Sequence, residues 1–459
     1  EIIIIVNQFS YFSTLKLILN LLVKNIINSV LTQIPVVVLG IISGVFSTRI
    51  LGEEAKGVFS LFQANYLLFV MVFSFGIQTG IVYFISSKKY SEQIVAGLSF
   101  SVFILCSIFL IVLLLTAYYM GFSSYFFPEE YNKLPYIFSV VVLFVFTFFN
   151  NLATSFFQAH SKFNIINRMA LINSIINALL FLGIYFFIIK EDFTPSERFD
   201  YVLILTVFLV FLNSLVWLIL YINKINVKPT LDKITTEIIK KFIGYSLLIY
   251  LGTVINFFNY RLDLWIVNYF LDEKELSHYS LAANIVQIIL YLSVTIASVI
   301  LPKISSSNDD KKFEIFTLIS RISTLFFFVL VLTAFITSEF LIPLLYGEEF
   351  APTIVPFQIL SIGIFISCIT QIFSIITIVL NKSKYSIYAC LIGLFFTVVF
   401  DLYLIPIYNI IGAAYATLIS YVVIFITTYL LIIFKTQCPT KNLLILTKQD
   451  ISFILKHFK

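Results

Sequence analysis

Three charged side chains interrupt stretches that are otherwise apolar enough to cross a bilayer: Arg261 and Asp263 within 242–270, and Asp401 within 386–406. A charge at the centre of a spanning helix costs roughly 2.5–3.5 kcal/mol on insertion scales, so such residues are retained for a cavity, a partner or an ion path. Arginine suits phosphate, because its planar fork donates two parallel hydrogen bonds. Arg261 therefore reads either as a contact for an anionic substrate or as a residue that snorkels or pairs with a neighbouring helix. Counting back from Leu271 at 1.5 Å per residue, Asp263 lies about 12 Å and Arg261 about 15 Å below the helix end. Their side chains point roughly 200° apart, which excludes a simple local pair. Asn256, Asn259 or Tyr260, and Asp263 instead share a stripe that faces a central cavity. Asp263 is then either a counter-ion for another helix or a titrating site for a coupling proton or sodium ion. Asp401, six residues before a turn at Ile407, carries the same two alternatives: coupling ion or helix-end carboxylate. Arg49, beside the Leu51-Gly52 turn, either reaches into the cavity or pairs with Glu53 or Glu54.

Catalytic chemistry has no comparable constellation. His160, His278 and His457 are isolated, and no metal-ligand spacing, phosphate-cradling glycine loop, nucleophile elbow or H-E-x-x-H motif occurs. Cys106, Cys368, Cys390 and Cys438 form no C-x-x-C and read as free thiols. No catalytic residue, metal or cofactor is expected, and the chain is not expected to be an enzyme.

The elements that must position these charges are set by composition, with 60% hydrophobic and 12% charged residues over 459 positions. Apolar stretches fall at about 26–48, 60–85, 94–118, 134–158, 167–189 and 201–222, then at 242–270, 277–301, 315–338, 352–380, 386–406 and 411–434. Each is near the ~20 residues needed to span ~30 Å of hydrocarbon. The segment LGEEAKGVFSL at 51–61 returns as LDEKELSHYSL at 271–281, and Ser161-Lys162-Phe163 returns as Ser383-Lys384-Tyr385. These echoes divide the chain into two six-helix halves in the same order, a transporter architecture. The expected fold is an all-α polytopic membrane protein of about 12 transmembrane helices in two pseudo-symmetric lobes around a central cavity. Its expected parts are an N-terminal cytoplasmic or interfacial segment (1–24), an N-lobe (25–223), a linker (224–241), a C-lobe (242–434) and an amphipathic tail (435–459).

With the N-terminus placed inside, 22 of the 29 Lys and Arg residues fall on the inner side, while Lys56 and Arg49 count among those outside. The positive-inside rule then puts both termini in the cytoplasm of a cell membrane. A pI of 8.7 is in this light a topology signal, and nucleic acid is not an expected partner. Gly40-xxx-Gly44 and Gly76-xxx-Gly80 predict close helix packing in the first two spans. The 52 Phe read as lipid-facing bulk or as the lining of a sugar path.

Arg49-Ile-Leu-Gly52, Gly57-Val-Phe-Ser-Leu61 and Ser74-Phe-Gly-Ile77 resemble the opening signature of the polysaccharide-transport, O-antigen type flippases. The superfamily also holds the multidrug and toxin extrusion exporters and the lipid II flippases. Later landmarks agree: Tyr279-Ser-Leu-Ala282, Leu301-Pro302, Leu345-Tyr-Gly-Glu-Glu-Phe350, Leu404-Ile-Pro406 and Ile411-Gly-Ala-Ala-Tyr-Ala-Thr417. The resemblance covers about 25–434 and implies translocation of an isoprenoid-diphosphate-linked oligosaccharide to the outer leaflet by rocking of two lobes around a cationic cavity. It maps the cavity cations onto Arg261 and Arg49. Where the family often has glycine in the second copy of the repeat, this chain has Asp272 and Ser277. Implied partners are the lipid-linked oligosaccharide, the bilayer, H+ or Na+, and membrane proteins of glycan assembly. A cation-coupled multidrug exporter and a lipid II flippase are the alternatives within the superfamily. The first is disfavoured by the lack of Asp or Glu in the first six spans, the second by the lack of several basic residues in the first two.

Overall fold

Where lipid offers no hydrogen bonds, a chain must satisfy its backbone internally, and the described residues are helical with no strand among them. The computed structural model describes residues 2–188, 193–232, 234–305, 309–380, 382–436, 443–445 and 447; within these, side chains of 2–32, 124, 125, 129, 248, 249, 302, 303, 309–311 and 435 are not described. The tail expected over 435–459 lies almost wholly outside them.

The helices are α1 (Ile2–Phe73), α2 (Ile77–Ser86), α3 (Glu92–Tyr119), α4 (Leu134–Ala159), α5 (Phe163–Phe187), α6 (Pro195–Leu220), α7 (Thr236–Phe270), α8 (Glu273–Ser305), α9 (Asp309–Tyr346), α10 (Ile354–Val379) and α11 (Lys384–Lys435). Among the described residues, ten helices are long and apolar enough to span. Two of these ten, α1 and α11, are each divided into two arms by a non-helical residue: Gly52 (φ 70°) in α1 and Asn409 (φ 53°) in α11. These ten helices, together with the shorter α2, thereby account for the twelve apolar segments expected.

At Asn409 the chain doubles back. A Cβ on Gly412 would collide with the Leu404 carbonyl oxygen, and Thr397 Oγ1 donates to Ser420 Oγ at 2.8 Å. Residues about equally far before and after Asn409 therefore face each other, which requires antiparallel arms. The turn lies two residues beyond the expected Ile407. The stretch 60–85, expected as one span, is broken in the structure. Phe75 (φ 47°) and Gly76 (φ 65°) are consecutive left-handed residues between α1 and α2, a conformation no helix continues through.

Helix starts follow local capping. Thr194 and Glu197 form a reciprocal box at α6, with Thr194 N donating to Glu197 Oε2 at 2.8 Å and Pro195 in the first turn. Asp272 Oδ1 accepts from Glu275 N at 2.9 Å and so caps α8. The second copy of the repeat thus starts its helix with a side-chain cap where the first uses a positive-φ glycine. The turn geometry differs while the helix entry is kept. Of the stretch expected as a linker, 224–241, residues 226–232, 234 and 235 are non-helical, 224 and 225 end the helical turn that follows α6, and 236–241 belong to α7. Thr230 N donates to Gln93 O at 3.2 Å, and a Cβ on Gly97 would collide with Thr230 O, so this segment lies directly on α3.

The chain forms two compact units. One comprises Leu39–Ser280 with Leu345–Phe350; the other comprises Glu1–Val38, Leu281–Leu344 and Ala351–Lys459. The first has an aromatic interior in which Phe62, Phe127, Phe144, Phe148, Phe156 and Phe199 are fully buried. Phe62 packs 5.1 Å from Phe199 and 4.9 Å from Phe127 between ring centroids. Helices gain little hydrophobic drive against each other in lipid, so such ring pairs, worth about 0.5–1.5 kcal/mol each, hold the unit by packing. The Phe content is therefore divided between this interior and an exposed population including Phe109, Phe138 and Phe187. In the second unit α10 is the most enclosed helix, with Gly363 letting Tyr421 and Leu418 of α11 approach.

Candidate functional site

α7 is held against the second arm of α1 and against α2 by small residues and one tyrosine. A Cβ on Gly76 would meet Tyr250 Cβ at 2.5 Å, and one on Gly80 would collide with Ser246 Oγ. Gly76-xxx-Gly80 is thus a close-packing face. Gly40-xxx-Gly44 is not, since among the described residues a methyl group at either position would have no atom within 4 Å. The Tyr250 hydroxyl donates to the Met71 carbonyl and accepts from Ser74 Oγ at 2.9 Å, closing the gap left by the α1–α2 break. Further along, Trp265 Nε1 donates to Asn65 Oδ1 at 2.8 Å while Asn65 Nδ2 donates to Phe126 O at 2.7 Å. Buried Asn65 so ties α1, α7 and the 120–133 connection together with both ends of its amide engaged.

At the Gly52 end, α1 meets the start of α8 through the two copies of the repeat. A Cβ on Gly57 would overlap Glu273 O, so only glycine admits this approach. Ser280 Oγ donates to Ser60 Oγ at 2.9 Å, both side chains being buried. On the rim, Lys274 Nζ lies 3.6 Å from Glu53 and 3.3 Å from Glu54. The acid pair that sequence offered to Arg49 therefore serves Lys274, and Arg49 Nε donates to Leu345 O at 2.6 Å.

The residues expected from sequence to form the site fall in both units. Asp263 is buried on α7, with Oδ1 accepting from Leu264 N at 2.9 Å and Oδ2 accepting from the hydroxyl of fully buried Tyr279 on α8. Asn259 is buried and donates to Ile255 O at 3.1 Å, while Asn256 on the same stripe is exposed. Arg261 is half-buried, and its charge acts on Tyr66 and Lys56 of the α1 arm. Asp401 is fully buried on the first arm of α11, in the other unit. Arg49, Asn256, Asn259, Arg261 and Asp263 thus belong to one unit and Asp401 to the other.

The burial of Lys56 departs from what its position in the sequence suggests. Its place four residues from Gly52 assigns it to an outer loop, yet it is only 6% exposed. A signal was available, because Lys56, Gln63 and Tyr66 recur at i, i+7 and i+10, one polar stripe along the second arm of α1.

Residues 22–308 match the family model described as polysaccharide biosynthesis protein, and the chain belongs to that family. No curated protein is similar enough to count as a match. Among solved structures, an inward-facing multidrug resistance MATE-family transporter of the MOP superfamily superposes with a TM-score of 0.68 at 16% identity, covering 85% of this chain and 93% of that one. The lipid II flippase MurJ in an inward closed conformation gives 0.68 at 19% identity, covering 94% and 92%. A MOP superfamily transporter from Pyrococcus furiosus gives 0.57 at 14% identity, covering 89% and 94%. At these identities the likeness establishes a shared fold.

Proposed function

We propose that the protein is a flippase that moves an isoprenoid-diphosphate-linked oligosaccharide, a polysaccharide repeat unit of the O-antigen type, from the cytoplasmic to the outer leaflet by alternating access. The observation that carries this reading is a half-buried arginine, Arg261, inside a membrane-spanning helix of a chain that belongs to a polysaccharide biosynthesis family and has the fold of MOP transporters. The diphosphate is held at Arg261, with Asn259, Asn256 and Arg49 contributing polar contacts, and the lipid tail stays in the bilayer. The two lobes, 25–223 and 242–434, rock about the bound headgroup. Both termini are cytoplasmic, and the protein sits in the cell membrane with the enzymes of glycan assembly as neighbours. Translocation breaks no covalent bond, so the cycle needs groups that bind and release rather than groups that react.

A bound ligand shifts an alternating equilibrium only by its difference in affinity between the two states. Resetting therefore draws on a product gradient or a coupled H+ or Na+. Asp263 is the leading coupling carboxylate and Asp401 the second.

The test is leaflet-specific labelling of lipid-linked oligosaccharide in cells lacking the protein, complemented with wild type or Arg261→Ala. Accumulation on the cytoplasmic leaflet, rescued by wild type and not by the variant at equal membrane abundance, is the expected result. Unchanged glycan export with new sensitivity to cationic drugs would move the protein to the exporter class.

A further inference from the structure

His160 caps the C-terminal end of α4, and both of its ring nitrogens face acceptors. Nδ1 lies 2.8 Å from Phe156 O, and Nε2 lies 3.2 Å from Glu92 Oε1. A carbonyl oxygen and a carboxylate both accept, so both nitrogens must donate, and only the imidazolium carries two N–H groups. The helix ends favour the same charges. Glu92 is in the first turn of α3, where the helix dipole favours an anion, and His160 ends α4, where it favours a cation. The start of α3 is also where the linker is fastened. Gln93 O, next to Glu92, accepts from Thr230 N at 3.2 Å, and Thr230 O lies so close to Gly97 that a Cβ there would collide with it. The other titratable or charged groups of this corner turn elsewhere. Lys89, after α2, donates to the Tyr83 hydroxyl; Lys162, after α4, donates to Lys224 O at 2.6 Å; and Tyr221, after α6, donates to Val227 O at 2.9 Å. Lys88, Arg168, Lys224 and Lys228 are exposed.

We propose that His160 is a proton-sensitive clasp for the linker. With the ring doubly protonated, His160 holds Glu92 and so fixes the start of α3, to which Thr230 is bound. With the ring neutral, one of the two contacts is lost, and the linker that leads into α7 loosens. Histidine is the side chain that ordinarily exchanges its proton between about pH 5 and pH 8. The clasp is therefore complete on the acid side of that range, while the carboxylate stays ionised, and is lost on the alkaline side. The two side chains are 23% and 44% exposed, so the pair acts with the strength of a surface ion pair: enough to change how often the linker opens, not enough to unfold the unit. Such a clasp acts on the linker whatever headgroup the protein moves.

The experiment is hydrogen exchange at the Thr230 amide of the purified full-length chain in detergent, compared at about pH 6 and about pH 8 after correction for the intrinsic pH dependence of exchange. In wild type this amide is expected to exchange about two- to fivefold faster at the higher pH, the range of a surface ion pair. Glu92→Gln and His160→Gln each remove one partner and are expected to exchange at the faster rate at both pH values. Amides in the interior of α4, such as those of Phe148 and Leu152, are expected to stay as slow as in wild type, which shows that the variants are folded. Should one variant fail that control, the variant of the other partner decides. Wild-type exchange at Thr230 that does not differ between the two pH values overturns the proposal. So does a pH response that persists in Glu92→Gln or His160→Gln, or one shared equally by the interior amides of α4.

Discussion

Ser60 and Ser280 stand 220 residues apart in the chain, and their hydroxyl oxygens lie 2.9 Å apart. That separation is the offset of the internal repeat, so each serine touches its own counterpart. Glu54 and Lys274, paired at 3.3 Å, obey the same offset. A residue meets its equivalent only at the axis relating two copies. The repeat LGEEAKGVFSL/LDEKELSHYSL is therefore a contact made across that local axis, and Gly57 is what lets the two backbones meet there. If the protein cycles by the alternating access proposed above, this contact is the one expected to part at the Gly52 end.

Replacing both serines by cysteine should test the seal. The pair Ser60→Cys and Ser280→Cys is expected to form a disulfide on mild oxidation, to stop glycan translocation, and to recover on reduction. Full transport by the oxidised, crosslinked protein would show that this contact does not open.

The two glycine motifs should behave oppositely. Gly80→Ala must push against Ser246 Oγ and the Phe242 ring and is expected to destabilise the protein by about 1–3 kcal/mol. Gly40→Ala meets no atom within 4 Å and is expected to be neutral or slightly stabilising. Thermal unfolding in detergent separates them, and equal melting temperatures would contradict the packing described.

Tyr279→Phe deletes the hydroxyl donor to Asp263 while preserving the ring. A buried carboxylate that loses one donor is expected to cost about 1–3 kcal/mol. Asp263→Asn should abolish any H+ or Na+ dependence of transport if Asp263 couples, and an unaltered ion dependence would assign the carboxylate a purely structural role with Tyr279.

The exposed rim pair should matter little. Lys274→Ala removes contacts to Glu53 and Glu54 at the surface, where an ion pair contributes little and weakens with salt. A melting change beyond a few degrees, measured at low and high salt, would mean the pair is more than a rim contact.

Asn409 has φ 53° and ψ −139°, outside the left-handed helical region that asparagine tolerates and in backbone space that glycine adopts with least strain. Asn409→Val is expected to destabilise by about 1–2 kcal/mol and Asn409→Gly to be neutral or stabilising, read by thermal unfolding. Equal loss in both would place the cost in the side chain rather than in the backbone.

Helix number, the repeat and the buried charges of α7 were legible in the linear chain, because lipid forces backbone satisfaction into helices and leaves hydropathy as a direct record of each span. Gly76-xxx-Gly80 and Gly40-xxx-Gly44 look alike in that record, and only the first meets a neighbour, since what a small residue faces is set by another helix. Arg49 had two acids within five residues, yet Leu345, 296 positions away, took its Nε–H. Lys56 stood beside a turn, where composition reads a cation as solvated. The tertiary structure decided otherwise, because the second arm of α1 packs on α7 through Asn65 and Trp265 and on the start of α8 through Gly57, and Lys56 on that arm is left only 6% exposed.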